Sequence, residues 1–364
     1  MKRIAVFGAT GHAGRLICQL LLESEAFEIL ACSRTPEKLV KLQTLLDPSG
    51  SRLSTRAADL HRAADVDHVL GRVDMVVGAT SQWQDAPALA ARAAESSTHF
   101  CGIYLSNQEK WQGLRELHDT CVERGVMVID DCGTHPGLPG VMMRRMNECT
   151  PLRAAWVGAK FDLEWDALSL SDQTISDFMS EIEMADPSVF TEGHWERGYS
   201  LTRQFDFGRG PVACTPMLME EIREVVKTES LDSAGFYIGG LGPFVDYVVI
   251  PASIALSKIN RRMSRTLLWW GLRRHASRTG VAVVQLEGER ADGGGSVKMT
   301  VSHPDPYFAT AVPVVATIRQ ALETPKPGVW TQAAFVAPGP FFDRIREMGL
   351  QVSSRPELRT HAEL

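Results

Sequence analysis

The chain enters a glycine-rich loop, Gly8-Ala9-Thr10-Gly11-His12-Ala13-Gly14, directly after the apolar run Ile4–Phe7. The residues that follow are apolar at the spacing of one helix face: Ala13, Leu16, Ile17, Leu20 and Leu21. A strand, a glycine-rich turn and an amphipathic helix in this order are typical of the first βαβ unit of a dinucleotide-binding sheet. The loop therefore predicts both a fold and a ligand.

The three glycines of this loop meet different geometrical needs. Gly8 permits the tight turn after the strand, Gly11 lets the backbone approach a pyrophosphate, and Gly14 lets the helix pack against the strand. A diphosphate would lie at the helix N-terminus, where N–H groups and the helix dipole favour an anion. We expect the whole loop to bind a dinucleotide. The alternative is a glycine-rich turn without a ligand.

Short apolar runs alternate with longer helical patterns over the first 135 residues. The predicted strands are Ile4–Phe7, Ile29–Cys32, Ser54–Ala58, Met75–Ala79, His99–Ile103 and Val126–Asp130. Alternation of this kind indicates right-handed βαβ units and a parallel sheet. The predicted fold class is α/β, with a doubly wound parallel Rossmann sheet.

A second domain is expected because 364 residues exceed one ordinary core. We assign residues 1–135 to a cofactor domain and residues 136–304 to an α+β domain for substrate binding and dimerisation. The second domain closes on a predicted hairpin, 281–290 with 296–303, around a run of glycines. Two helices are predicted beyond it, Tyr307–Leu322 and Phe341–Met348.

The end of the second predicted strand indicates which dinucleotide binds. An NAD-specific protein places Asp or Glu there to bind the ribose hydroxyls, but this chain has Ser33-Arg34, with Lys38 one turn later. A guanidinium and a hydroxyl can hold a 2′-phosphate that a carboxylate would repel. We therefore predict NADP(H) rather than NAD(H). The alternative is that Arg34 is a solvated surface charge.

Residues at the ends of two further strands are candidate cofactor contacts. Asp59 closes the third predicted strand and could meet the adenine amino group or simply stabilise a turn. Ala79, Thr80 and Ser81 follow the fourth strand, beside the expected path of the cofactor.

Composition and charge exclude several other classes. The net charge of −6 argues against nucleic acid as a partner. Seven cysteines without a C-x-x-C pair favour reduced thiols and a cytoplasmic protein. The most apolar stretch, 236–256, contains an aspartate and two prolines, so we expect no membrane span. The histidines lack metal-ligand spacing, so no metal is predicted.

With these motifs in hand, the chain resembles the saccharopine dehydrogenase/reductase-like family. The matching segments are Gly8–Gly14, Ser33–Leu39, Ala58–Leu60, Asp131–Pro139, Pro327–Trp330 and Phe341–Gly349. The resemblance implies binding of NADP(H) or NAD(H) and reduction of an imine formed from an amino acid and a carbonyl partner, or of a C=C bond in some relatives. It also implies that residues 305–352 join the cofactor domain and that the chain forms a homodimer.

The sequence departs from the family pattern at two positions near the expected nicotinamide end. It has Thr80-Ser81-Gln82-Trp83 where relatives tend to have a Gly-Pro-Phe-like loop, and His135 where relatives often have Asp. Saccharopine itself is therefore not assumed as the product.

Candidate proton donors stand where parallel strands end, because ligands of open α/β sheets bind there. They are Tyr104, Asp130, Asp131 and His135. We favour His135, since imidazole titrates near neutrality; the alternative is a hinge histidine bonded to the backbone. A rival chemistry would use Cys101 or Cys132 as a thiol nucleophile, although small buried cysteines usually serve packing.

We expect an NADPH-dependent oxidoreductase that reduces the C=N of a small-molecule, amino-acid-derived imine. One alternative is an activated C=C or C=O in a more lipophilic substrate, favoured by the aromatic residues of the second domain, which include Trp165, Trp195, Phe205, Phe236 and Phe244. Another is a non-catalytic NADP-binding sensor or scaffold. The arginines and paired tryptophans of residues 261–278 leave a membrane-surface helix as a further, less favoured possibility.

Overall fold

A computed structural model describes residues 1–161, 179–180, 182–277 and 280–355. The chain divides into two compact units. The first comprises Met1–Val141 with Tyr307–Met348, and the second comprises Met142–Pro306 with the residues from Gly349 onward.

The first unit is built on a seven-stranded parallel sheet of order β15-β6-β5-β4-β1-β2-β3. Its strands are β1 Lys2–Phe7, β2 Phe27–Ser33, β3 Leu53–Ala57, β4 Met75–Gly78, β5 His99–Gly102, β6 Met127–Asp130 and β15 Gly328–Thr331. The predicted α/β fold with a parallel Rossmann sheet is confirmed.

Helices connect and cover these strands. Those before the second unit are α1 His12–Leu22, α2 Pro36–Leu46, α3 Ala63–Leu70, α4 Asp85–Glu95, α5 Gln108–Arg115, α6 His118–Glu123 and α7 Leu138–Cys149. The apolar face predicted for α1 is buried through Leu16, Ile17, Leu20 and Leu21. Strand and helix side chains form one core that includes Phe7, Val76, Phe100, Trp111 and Val128. The order of the parallel strands places the carboxyl ends of β1, β2 and β4 side by side.

The second unit contains a mixed sheet whose main path is β10-β11-β12-β7-β13-β14-β16, with β8 joining β12 to β9. Its strands are β7 Leu152–Phe161, β8 Ser188–Thr191, β9 His194–Arg197, β10 Arg203–Asp206, β11 Pro211–Pro216, β12 Ser233–Gly239, β13 Ala282–Arg290, β14 Ser296–His303 and β16 Gln351–Arg355. Its helices are α8 Glu220–Thr228, a π-helical turn Val245–Val249, α9 Ile250–Ser257 and α10 Arg261–His275. The predicted hairpin corresponds to β13 and β14, which pair antiparallel.

The C-terminal segment contributes to both sheets. Helices α11 Pro306–Glu323, α12 Gln332–Phe335 and α13 Pro338–Glu347 and strand β15 belong chiefly to the first unit. Strand β16 instead pairs with β14 of the second sheet. The expected boundary at 352 therefore differs from the structure, because the chain leaves the first unit after Met348.

Several aromatic residues of the second unit are core residues rather than surface residues. Phe205 and Phe236 are fully buried, and Tyr237 packs against Phe205 at 5.7 Å between ring centroids. Phe244 is exposed, and Trp165 lies outside the described residues. Burial of this kind serves packing.

No helix in the part of the chain that the structure describes is long and apolar enough to cross a membrane. Within the same part, no three His, Cys, Asp or Glu side chains gather as metal ligands would.

Candidate cofactor and active site

The glycine-rich loop turns from β1 into α1 in a conformation that two glycines make possible. Gly8 has a φ of +82°, and a Cβ there would lie 2.2 Å from the carbonyl oxygen of Ala79. A Cβ on Gly14 would lie 2.2 Å from the carbonyl oxygen of Gly8. Both distances are impossible for a side chain, so the loop packs directly against the residue after β4 and against the first turn of α1. The roles expected for these two glycines match this packing.

Helix α1 begins at an N-cap that carries no side chain. Gly11 is this residue, and its N–H donates to the carbonyl oxygen of Gly8 at 2.9 Å. Gly11 and His12 are exposed, so the amino end of the helix is open to solvent. The imidazole of His12 stacks on Tyr307 with ring centroids 4.9 Å apart. An open helix N-terminus favours an anion through its N–H groups and dipole, which suits a pyrophosphate.

Two hydroxyl side chains connect this loop to the neighbouring strand. The oxygens of Thr10 and Ser33 lie 2.9 Å apart, and the backbone N–H of Thr35 donates to Ser33 Oγ at 3.4 Å. Arg34 and Lys38 lie beside them and are exposed. The end of β2 thus presents hydroxyls and cations together, a donor set that suits a phosphate ester.

A carboxylate that sequence reasoning missed lies near the end of β4. Asp85 begins α4, accepts a hydrogen bond from Thr80 at 3.5 Å and lies 3.7 Å from His61 Nδ1. Burial raises the pKa of Asp85, although the charge of His61 acts against this shift. Asp59 accepts a hydrogen bond from the backbone N–H of His61 at 3.1 Å. This contact stabilises the turn after β3, which is one of the two roles considered for Asp59.

Tyr104 is held inside the first unit. The residue is 1% exposed, and its hydroxyl oxygen lies within hydrogen-bond distance of Thr80 Oγ1, at 3.2 Å. A Cβ on Gly78 would lie 2.5 Å from this hydroxyl, so the tyrosine packs against the end of β4. Burial raises the pKa of Tyr104 above its usual range. The Tyr104 hydroxyl therefore contacts Thr80 and not solvent.

Asp131 belongs to a buried ionic cluster. Lys110 Nζ lies 2.6 Å from Asp131 Oδ1 and 3.1 Å from Asp130 Oδ2, and all three side chains are fully buried. Asp131 Oδ2 also accepts hydrogen bonds from Ser106 at 2.6 Å and from Trp111 Nε1 at 2.9 Å. The cluster joins α5 to the turn after β6.

Charges in this cluster perturb one another. Burial lowers the pKa of Lys110, but the carboxylates of Asp130 and Asp131 outweigh burial and leave it raised. Burial raises the pKa of Asp130 to about 6, with Lys110 opposing the shift. Sequence reasoning missed Lys110, because a lysine in a polar helical segment gives no sign of burial.

His135 is partly exposed, whereas the three other candidate proton donors, Tyr104, Asp130 and Asp131, are buried. The peptide bond between His135 and Pro136 is cis. Gln332 fixes the turn, since its amide oxygen accepts from Gly133 N at 3.0 Å and its amide nitrogen donates to Gly133 O at 3.3 Å. Of the four candidates, His135 is therefore the accessible one, and it lies on a turn that Gln332 holds in place.

The rival thiol chemistry has little support from the geometry. Cys101 and Cys132 are buried, with their sulfur atoms 3.7 Å apart. Burial raises the pKa of the Cys132 thiol well above its usual range. A buried, protonated thiol is a poor nucleophile, so the pair is best described as packing residues.

Comparisons with known proteins bear on the fold and the loop. Residues 8–126 match the NAD(P)H-binding family. Saccharopine dehydrogenase (L-Glu forming) from Saccharomyces cerevisiae is similar in structure, with a TM-score of 0.65 and 15% identity over 97% of this chain and 100% of that one. This chain has the saccharopine dehydrogenase fold.

A second solved structure has a related architecture. The amine dehydrogenase from Mycobacterium smegmatis gives a TM-score of 0.50 at 13% identity, over 92% of this chain and 96% of that one. No curated protein matches the sequence. The expected resemblance is thus confirmed as a fold, together with an NAD(P)H-binding segment that contains the glycine-rich loop.

Proposed function

We propose that the protein is an NADPH-dependent reductase that acts on the C=N bond of an amino-acid-derived imine. The observation that carries the cofactor half is the pair of Thr10 and Ser33 hydroxyls, 2.9 Å apart at the end of β2, with the exposed Arg34 next in the chain. No carboxylate replaces Ser33 or Arg34 at this position, where an NAD-specific protein would have one.

The residues around this set fit a dinucleotide phosphate. Gly8–Gly14 would hold the pyrophosphate at the start of α1, and Thr10, Ser33, Arg34 and Lys38 would hold the 2′-phosphate. Ala79, Thr80 and Ser81 would line the path toward the nicotinamide. When bound, the cofactor supplies the hydride; the protein supplies alignment and a dry cleft.

Imine reduction is supported by the fold resemblance to a saccharopine dehydrogenase and an amine dehydrogenase. Reduction of C=N requires a proton for the nitrogen. Tyr104 and Asp131 are buried and engaged in hydrogen bonds, so His135 is assigned as the proton donor. Asp131 and Tyr104 are assigned as positioning residues, through the turn after β6 and through Thr80.

The first test is separate titration of the purified protein with NADPH and NADH, followed by fluorescence. We expect tight NADPH binding that weakens at least tenfold in Arg34→Asp, because a carboxylate repels the 2′-phosphate. Arg72→Asp is the matched control, since the exposed Arg72 precedes β4 and so lies at the amino ends of the parallel strands, whereas Arg34 follows a carboxyl end. Equal affinity for both cofactors in the wild type would contradict the NADP assignment.

The second test separates an enzyme from a cofactor-binding scaffold. His135→Ala should lower kcat for an active imine by about 100-fold or more while the Kd for NADPH stays constant. A panel of imines, enones and ketones identifies the reducible bond. NADPH binding with no turnover of any of these compounds would favour the non-catalytic alternative.

A further inference from the structure

The second unit contains a helical hairpin, which we define as residues 244–275. The π-helical turn Val245–Val249 continues into α9, and α10 runs back beside it. The inner face is apolar and closed, since Val245, Val249, Leu268 and Leu272 form a buried cluster. Ser264 tightens the crossing by donating to the carbonyl oxygen of Ser253 at 2.7 Å. The inner face of the hairpin is therefore packed, in a cluster that also includes Met179 and Ala276.

That outer face is unusually apolar. Half of the large apolar side chains exposed in the described residues belong to this hairpin: Phe244, Tyr247, Val248, Ile259, Met263 and Trp270. Ile259, at the tip between the helices, is 84% exposed, and Trp270 is 49% exposed. Met263 and Trp270 line one hollow and Phe244 lies against Trp270, so these three side chains form one exposed apolar patch. Such patches mark surfaces that contact a partner.

A shallow hollow on this face combines apolar and cationic groups. It is lined by Leu256, Arg262, Met263, Thr266, Leu267 and Trp270. Phe244 adds to its edge, since its ring lies 6.4 Å from that of Trp270 in an edge-on arrangement. Arginine thus borders an apolar surface, which is the arrangement found at a lipid interface.

The hairpin is cationic although the whole chain is anionic. It contains Lys258, Arg261, Arg262, Arg265, Arg273 and Arg274 against one acidic residue, Asp246. The net charge of the chain is −6. Asp246 turns inward, where it accepts a hydrogen bond from the backbone N–H of Gly242 at 3.2 Å. Positive charge is therefore concentrated on the same element that exposes the apolar side chains.

We propose that this hairpin docks the protein on the surface of an anionic phospholipid bilayer. The exposed aromatic and aliphatic side chains would enter the boundary between headgroups and acyl chains, and the arginines would contact lipid phosphates. A second copy of this chain fits less well, since a two-fold interface would bring the two cationic faces together. The proposal does not depend on the proposed reductase activity.

The experiment is flotation of the full-length protein with vesicles of phosphatidylcholine alone and of phosphatidylcholine with phosphatidylglycerol at a ratio of 3:1. We expect binding to the anionic vesicles to exceed binding to the neutral ones by about tenfold or more. Added salt should weaken it, because charge contributes much of the attraction.

Two double variants test the two components of the surface. Arg262→Glu with Arg274→Glu should remove the preference for anionic lipid, and Met263→Ser with Trp270→Ser should reduce binding to both vesicle types. Val122→Ser with Tyr199→Ser is the control, since these apolar residues are exposed elsewhere. Circular dichroism and thermal unfolding report whether each variant is folded.

Two results would overturn the proposal. One is absence of binding to the anionic vesicles by the folded wild-type protein. The other is vesicle binding by both double variants at the level of the wild type, which would place the lipid contact elsewhere. In the first case, the wild type can instead be tested for dimerisation. If it dimerises and Met263→Ser with Trp270→Ser loses this concentration-dependent dimerisation, the face is assigned to a second copy.

Discussion

The side-chain oxygens of Thr10 and Ser33 lie 2.9 Å apart, one in the loop after β1 and the other at the end of β2. This hydrogen bond connects the loop to the end of β2, one residue before Arg34. Two of the donors proposed for a 2′-phosphate are thus held close together, which reduces the entropy that binding must offset.

Thr10→Val tests this preorganised pair. The substitution keeps the shape of the side chain and removes the hydroxyl, so the affinity for NADPH should fall about two- to tenfold, the effect of one net hydrogen bond. NADH affinity should change less. Fluorescence titration measures both. Thr44→Val on the exposed surface of α2 is the control, and equal affinities in the two variants would remove Thr10 from the site.

Gly14→Ala tests the close packing of α1 on the glycine-rich loop. A Cβ at Gly14 would lie 2.2 Å from the carbonyl oxygen of Gly8, so the helix must shift. We expect a loss of about 1–3 kcal/mol of stability and strongly weakened NADPH binding. Thermal unfolding and cofactor titration provide the measurements. Gly71→Ala is the matched control, because its nearest neighbour would be 3.8 Å away; similar losses in both variants would argue against a special role for the loop.

Lys110→Met tests the buried ionic cluster. Without the ammonium, Asp130 and Asp131 are left as fully buried carboxyl groups with no cation between them. Breaking such a pair costs about 3–5 kcal/mol. Urea unfolding measures the loss. The control is Lys2→Met at the exposed pair with Asp74, which should lower the free energy of unfolding by less than about 1 kcal/mol. A decrease this small in Lys110→Met would show that the cluster is not essential to stability.

Asp246→Asn tests a carboxyl group whose pKa is raised to about 6 by burial. The unfolded pKa is about 3.9, so between these values the folded state holds more protons than the unfolded state. The contribution of Asp246 to wild-type stability therefore falls as pH rises from about 4 to 6, whereas the amide cannot titrate. The variant should become more stable than the wild type by about 2–5 °C in Tm at pH 7.

Thermal unfolding at pH 4.5, 5.5 and 7 measures this difference. Asp292→Asn is the control, since the pKa of Asp292 is lowered to about 2 by its hydrogen bond with Arg290. Its difference from the wild type should be constant over the same range. A constant difference for Asp246→Asn as well would show that its carboxyl does not titrate in this window.

Local patterns predicted much of the first unit and one hairpin of the second. Periodicity and turn residues can be recognised within a few residues of sequence. They predicted the strands around Ile4–Phe7 and Ile29–Cys32, the amphipathic α1 and the hairpin of β13 and β14. The glycine-rich loop was predictable for the same reason. The strand before this loop and the amphipathic helix after it are adjacent to it in the sequence.

Contacts between distant residues were not predictable in this way. Lys110 is buried because Asp131 reaches it from a turn 21 positions away. Gln332 braces Gly133 across 199 positions. The Thr10–Ser33 pair likewise depends on the register of β1 against β2. The spacing of nearby residues does not indicate such pairings, because they form only when the sheet assembles.

Strand β15 has a consequence for how the protein is made. It pairs with β6, but the second unit separates the two strands in sequence. While the ribosome extends the nascent chain, β6 exposes an unpaired edge throughout translation of the whole intervening segment. Such an edge can recruit a β-strand from another molecule. A chaperone that shields this edge during synthesis would raise the yield of native protein, and nascent chains that stall before residue 328 would be the ones most prone to aggregate.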